Sequence, residues 1–266
     1  MGSATTPALI VEQDGPVRRL LLNRPASRNA LDDTLIDALE RAVKEAKDDD
    51  GTRVVVLAGN GPSFCAGADM RHLLRLHRDG ANPVHFLARV SETATAISSS
   101  HKPWIAALHG HAVAGGLELA LACDLVVAAE DTVISDGHLK NSLLPAAGSS
   151  VRLPKAVGRN IARFMLLTGK PVPAAELVDA GWIYAAVPPT HLSDAVRALC
   201  GDLIAVAAGP QQRLKALLTT IDGLDDQSAL AHELGAFADN WRASATDRAL
   251  EQFLRTRTSR RPEEPS

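Results

Sequence analysis

Short, uninterrupted apolar runs constrain the fold of this chain more than any other feature of its sequence. Residues 54–57, 104–108 and 125–129 are apolar throughout. Strands of this kind are covered on both faces, as in a parallel sheet with helices on each side. The segment 32–47, which precedes the first of these runs, has apolar residues at helical spacing. This alternation predicts an α/β fold with right-handed strand–helix–strand connections.

The pattern changes after Pro188-Pro189, where the strand signals stop. We therefore predict two domains, an α/β core over residues 1–190 and a helical C-terminal region over residues 191–266. The final residues, 257–266, are polar and are expected to fray. Within the core, residues 71–83 are rich in arginine and histidine and weakly patterned, which suggests a mobile flap near a site.

Composition narrows the possible functions. Hydrophobic residues make up 46% of the chain and aromatic residues only 3%, and the formal net charge is -3. A nucleic-acid surface would need clustered positive charge or aromatic platforms, so no nucleic-acid partner is expected. The three cysteines are odd in number and widely spaced, which argues against disulfides and a zinc site. With neither a secretory pattern nor a membrane span in the sequence, we expect a cytoplasmic protein without a membrane partner.

Two loops combine small residues with exposed backbone N–H groups. Residues 63–69 follow the first apolar run, and residues 110–119 follow the second. In the latter, Gly115-Gly116 opens a predicted helix whose N-terminus carries unpaired N–H groups and partial positive charge. Such an end suits a developing oxyanion. Glu118, three residues after Gly115, projects from the same turn and is a candidate acid or base.

Both loops also have structural interpretations. A glycine pair at a helix start often reflects close packing, and a glutamate in a first turn often only complements the helix dipole. The glycine spacings fit neither a phosphate loop nor a dinucleotide fingerprint. Cys65 adjoins the first loop, but a thiol nucleophile needs an activating base or a positive field, so we interpret Cys65 as a packing residue.

Several motifs in a fixed order resemble those of the enoyl-CoA hydratase/isomerase (crotonase) family over nearly the whole chain. The motifs are Leu22-Asn23-Arg24-Pro25 with Asn29-Ala30-Leu31, Phe64-Cys65-Ala66-Gly67-Ala68-Asp69, residues 107–119 with Ala122-Cys123-Asp124, Leu144-Pro145 with Arg152-Leu153-Pro154 and Val157-Gly158, and Leu167-Thr168-Gly169 with Ala174-Ala175-Glu176 and Ala180-Gly181-Trp182.

The resemblance implies a crotonase-like spiral core of ββα repeats and a helical C-terminal region that forms trimers or pairs of trimers. It implies an acyl-CoA substrate, whose CoA is not a separate cofactor, and no metal or redox cofactor. Ala66 and Gly115 would be the oxyanion donors to the thioester oxygen. The substrate-binding residues would include these two together with Arg24, Gly67, Ala68 and Asp69.

One position departs from the family pattern. Typical hydratases of the family place two glutamates beside the double bond, and Glu118 matches the first. The second normally lies seven residues before the proline at 145, where this chain has His138. His138 could replace it as an acid or base, because histidine titrates near neutral pH. Alternatively Asp136 could reach the site, His138 could only line the pocket, or Glu118 could work alone.

The resulting hypothesis is reversible addition of water to a 2-enoyl-CoA, with Glu118 and His138 as catalytic residues. Isomerisation, hydrolysis or decarboxylation of an acyl-CoA, with Glu118 as the single carboxylate base, is the alternative. An acyl-CoA-binding protein without catalysis is the third possibility.

Overall fold

The computed structural model describes residues 6–243 and 246–258. It divides into two compact units, the first ending at Val206 and the second beginning at Ala207. Residues 259–266, most of the segment expected to fray, lie outside the described residues.

A six-stranded sheet forms the centre of the first unit, and two further strands pair with each other beside it. The sheet order is β1-β2-β3-β4-β6-β8, and β5 pairs with β7. The strands are β1 (Leu9–Asp14), β2 (Val17–Leu22), β3 (Val54–Gly59), β4 (Trp104–Leu108), β5 (His111–Val113), β6 (Leu125–Ala129), β7 (Val133–Ser135) and β8 (Ala185–Val187).

The helices of the first unit connect these strands. They are α1 (Asp33–Asp48), α2 (Met70–Arg78), α3 (Pro83–Ser98), α4 (Gly115–Leu121), α5 (Ser149–Thr168), α6 (Ala174–Asp179) and α7 (Leu192–Ala205). Three short 3-10 turns complete it, at Pro25–Ser27, His138–Asn141 and Pro189–His191.

The apolar runs occupy the interior of the sheet, as predicted. Val55 and Leu57 of β3 face a core that includes α1 and α3. Val54 and Val56 of the same strand face a second cluster that includes Val196 of α7. Because successive side chains point to opposite faces of a strand, a strand apolar at every position is buried on both sides. The β1–β2 hairpin is antiparallel, and the remaining neighbours in the sheet are parallel.

Helix α7 belongs to the first unit, so the boundary between the two units lies later in the chain than predicted. Its Val196, Leu199 and Cys200 are buried against the sheet. The predicted division after residue 190 therefore lies too early in the chain, and the first unit continues to Val206. The reason is that a helix covering a sheet has the same amphipathic pattern as a helix of a separate bundle.

The segment predicted to be a flap contains a defined helix, α2. The side chain of Asp69 accepts from the backbone N–H groups of Arg71 and His72 and so caps its first turn. Buried His72 packs edge-on against Phe86 of α3, and its Nε2 lies 3.2 Å from Oδ2 of Asp33 of α1. These contacts attach α2 to two neighbouring helices.

The second unit contains α8 (Ala208–Ile221), α9 (Asp226–Ala243) and α10 (Thr246–Thr258). Helices α8 and α9 contact each other and leave apolar side chains such as Leu218, Leu234 and Phe237 exposed. The trimer implied by the resemblance stays a prediction. Among the described residues, no helix combines the length and the hydropathy that a membrane crossing requires.

Candidate active site

A small cavity of about 50 Å³ lies where the two small-residue loops meet. Its polar lining comes from Glu118, His138 and the backbone of Gly115 and Ala68. Its remaining lining is aliphatic or methionine, contributed by Leu31, Met70, Leu73, Leu87, Val90, Ala114, Leu143, Leu144, Ala146 and Ala147. A mostly apolar pocket with a few convergent polar groups is typical of a small-molecule site.

The second loop places the N-terminus of α4 at this cavity. Ala114, which precedes the helix, has φ +51° and ψ -117°, a conformation that costs energy for a residue with a side chain. It turns the chain sharply from β5 into α4, so that the N–H of Gly115 is the first of the helix. Within the described residues, that N–H has no backbone acceptor. Backbone strain of this kind often occurs at functional sites.

The first loop supplies a second N–H group, but from Ala68 rather than from Ala66. The Leu31 N–H donates to the carbonyl of Gly67, and the Asp69 N–H donates to the carbonyl of Leu31. Because N–H groups alternate in direction along an extended segment, the N–H of Ala68 points away from Leu31. Ala68 lines the cavity, and a Cβ built on Gly115 would lie 3.6 Å from the Ala68 nitrogen.

The assignment of Ala66 as an oxyanion donor is therefore corrected. Its N–H donates to the carbonyl of Arg28 at 3.0 Å and is already satisfied. Gly67, the residue between the two alanines, allows the loops to approach each other. It has φ +91°, and a Cβ there would lie 3.1 Å from the nitrogen of Gly115. The geometry brings the backbone nitrogens of Ala68 and Gly115 close together, without a backbone acceptor for either among the described residues.

Glu118 is held rigidly on the other side of the cavity. Its carboxylate is buried, and Oε1 accepts from the backbone N–H groups of Ala147 at 2.8 Å and Ser149 at 3.1 Å. Ser149 is the first residue of α5, so this oxygen also satisfies an unpaired donor at a helix N-terminus. The second oxygen, Oε2, lies 3.8 Å from Nε2 of His138. One oxygen thus fixes the carboxylate and leaves the other for chemistry.

His138 lies between two carboxylates. Its Nε2 faces Glu118, and its Nδ1 lies 3.0 Å from Oδ2 of Asp136, which is fully buried. Burial lowers the pKa of His138, but the hydrogen bond and the charge of Asp136, with the charge of Glu118, outweigh it and raise the pKa above its ordinary value of 6.5. His138 is thus inside the site, and Asp136 reaches it through the imidazole.

Arg24 and Asp69, predicted as substrate-binding residues, are engaged with the protein itself. The guanidinium of Arg24 contacts Asp32 at 2.8 Å and Asp69 at 3.2 Å and donates to the carbonyl of Ala30. Asp69 also caps α2. Neither residue lines the cavity. Their side chains fix the loop that carries Ala68. The contact of Arg24 and Asp69 with substrate stays a prediction, because the cavity holds only the acyl end of a CoA thioester.

Cys65 has the packing role that the sequence suggested. It is fully buried, and burial raises the pKa of its thiol to about 12. A thiol with that pKa carries almost no thiolate at neutral pH and is a poor nucleophile. Within the described residues, no cluster of His, Cys, Asp or Glu is arranged to hold a metal ion.

Gly116 permits the contact between the two loops, and we expect Gly116→Ala to lower the free energy of unfolding by about 3 kcal/mol. A Cβ there would lie 2.2 Å from the carbonyl oxygen of Cys65, which is backbone and cannot move away locally. Chemical denaturation measures the loss. Gly201→Ala is the matched control, because a Cβ at that helical position meets nothing within 4 Å. Equal stability of the two variants would show that the loops are not in close contact.

Comparisons with known proteins agree with this fold. The family model for enoyl-CoA hydratase/isomerase matches residues 12–260. A putative enoyl-CoA hydratase of Thermus thermophilus is 34% identical over 96% of this chain and 99% of its own length. A putative enoyl-CoA hydratase/isomerase of Bacillus subtilis is 35% identical over 65% of this chain and 66% of its own length.

The three-dimensional likeness extends over the whole fold. The crystal structure of an enoyl-CoA hydratase from Mycobacterium smegmatis superposes with a TM-score of 0.88 at 31% identity, covering 97% of this chain and 99% of that one. The architecture is thus the crotonase fold, an α/β core with a helical C-terminal region. The chain belongs to the enoyl-CoA hydratase/isomerase family.

Proposed function

We propose that this protein adds water reversibly across the double bond of a 2-enoyl-CoA. The observation that carries the proposal is the acid–base pair formed by Glu118 and His138, 3.8 Å apart, beside two inward N–H groups. Hydration needs a base for the water, an acid for the α-carbon and stabilisation of the enolate between the two steps. The site offers one group for each role.

Oε2 of Glu118 takes a proton from water, and the hydroxyl oxygen forms a bond to the β-carbon. The electron pair of the double bond moves onto the thioester oxygen, which the N–H groups of Ala68 and Gly115 stabilise. Nε2 of protonated His138 then gives its proton to the α-carbon as the enolate collapses. Transfer of a proton from Glu118 to His138 restores the starting state.

The chemistry and size of the pocket also indicate which acyl group to expect. Its walls are aliphatic, and its volume is about 50 Å³. A short aliphatic chain therefore suits it, which makes crotonyl-CoA the first substrate to test. The CoA portion is a proposal that rests on the family, since the cavity accounts only for the acyl end.

Incubation with crotonyl-CoA is the direct test. We expect the conjugated enoyl absorbance to fall, with 3-hydroxybutyryl-CoA as the product identified by mass spectrometry. Conversion of a 3-enoyl-CoA into its 2-enoyl isomer without hydration would favour isomerisation instead. Release of free CoA would favour thioester hydrolysis. Binding without any turnover of this panel would overturn hydration and favour a binding protein.

A further inference from the structure

A buried carboxylate behind the imidazole is the feature that the reaction scheme above leaves unused. Asp136 has no exposed side-chain surface. Its Oδ2 lies 3.0 Å from Nδ1 of His138, and its Oδ1 accepts from the backbone N–H of the same residue at 3.4 Å. Both oxygens are thus directed at one residue. Gly137, with φ +67°, forms the turn that brings them there.

A fully buried carboxylate is costly unless a positive charge or several donors compensate it. In the described part of the chain, neither lysine nor arginine forms an ion pair with Asp136, whereas His138 lies beside it. Arg152, the first basic residue of α5, donates to the carbonyl of Ala147 and to Oγ1 of Thr95. The charged groups acting on His138 are therefore Asp136 on one side and Glu118 on the other.

We propose that Asp136 is a positioning residue that orients His138, with Nδ1–H toward Asp136 and Nε2 toward Glu118 and the cavity. The other nitrogen of a histidine sets which nitrogen is available for chemistry. The part of the proposal that concerns proton delivery to substrate rests on the proposed hydration.

The charge count explains why the aspartate accompanies the histidine. A site with two glutamates that share one proton has a net charge of -1. The formal charges of two carboxylates, Glu118 and Asp136, and one imidazolium, His138, also sum to -1. Without Asp136, the same pair would be neutral, and the imidazole would lose its proton more easily. The charge of Asp136 thus gives this site the same net charge as a site with two glutamates that share one proton.

Nuclear magnetic resonance of the imidazole tests the proposal without requiring turnover. In the wild-type protein we expect His138 to titrate above pH 6.5, with Nδ1 protonated in its neutral form as well. In Asp136→Asn, an isosteric change, we expect its pKa to fall and the neutral tautomer to change. A wild-type imidazole that titrates at or below 6.5, with its proton on Nε2 in the neutral form, would overturn the proposal even if the variant fails to fold.

Kinetics provide the second measurement. We expect Asp136→Asn to lower kcat about 100-fold with little change in KM and to move the alkaline fall of kcat to lower pH. Asp131→Asn, at an exposed turn position, is the matched control and should behave as wild type. A purely structural role predicts a lower unfolding midpoint with an unmoved pH profile, which would count against positioning. Because the resonance readout is independent of activity, failure of hydration and failure of positioning are distinguishable.

Discussion

Replacement of Glu118 by glutamine is expected to lower kcat for hydration about a thousandfold and to leave the fold unchanged. The amide oxygen of the glutamine can still accept from the N–H groups of Ala147 and Ser149, so the side chain stays in place. The amide lacks the basic oxygen Oε2 that is proposed to take the proton from water. A positioned general base contributes about 10² to 10⁴ in rate. Steady-state kinetics on crotonyl-CoA measure the loss.

Two further measurements isolate the chemical step. Acyl-CoA affinity should remain within a few-fold of wild type, because a group used only in the transition state affects kcat more than binding. The thermal unfolding midpoint should also be retained. Glu130→Gln is the matched control, since Glu130 is exposed in a turn. If Glu118→Gln turned over crotonyl-CoA as fast as the control, Glu118 would not be the base.

The α/β architecture could be predicted from the sequence because its physical signal is local. Strands buried on both faces, such as β3 and β4, must be apolar at every position, and this pattern is visible without knowledge of the partner strands. The boundary between the two units was harder to predict from the sequence than the strands. Whether α7 covers the sheet or joins a separate bundle depends on tertiary contacts that its own amphipathic pattern does not specify.

The site was predictable where a residue type determined the chemistry. Glu118 and the N–H of Gly115 follow from a glutamate in the first turn of a glycine-initiated helix. The prediction that Ala66 is a donor failed because backbone direction alternates along the loop, and only the pairing with Leu31 shows in which direction each N–H points. That pairing is long-range, so no local pattern indicates it.

Two other features depended on side-chain directions. One is the pair of carboxylates at the guanidinium of Arg24, Asp32 and Asp69, of which Asp69 lies 45 residues away in the sequence. Asp136 beside Gly137 resembles an ordinary turn residue in sequence. Its burial against His138 follows from the positive φ of the glycine and the pairing of β7 with β5, neither of which is encoded locally.

Replacement of His138 by glutamine is expected to lower kcat about 100-fold and to remove the alkaline fall from the pH profile. As the proposed acid, His138 acts only when protonated. Its pKa in the folded protein is raised, so the wild-type rate should be complete below pH 6.5 and should fall as pH rises through the raised value. The glutamine side chain fills similar space but has no proton to transfer at these pH values. The alkaline fall of kcat should therefore disappear together with most of the activity.

The pH profile distinguishes an acid from a residue that only lines the pocket. If His138 only lines the pocket, His138→Gln should change KM for crotonyl-CoA and leave both kcat and its alkaline fall unchanged. His191→Gln, at an exposed position, controls for loss of a histidine elsewhere in the chain. The double variant Asp136→Asn/His138→Glu extends the test, because it restores a second carboxylate while removing the buried charge that would repel it. Partial recovery of kcat in that variant, but not in His138→Glu alone, is the outcome expected if the Asp136–His138 pair replaces the second glutamate of the family.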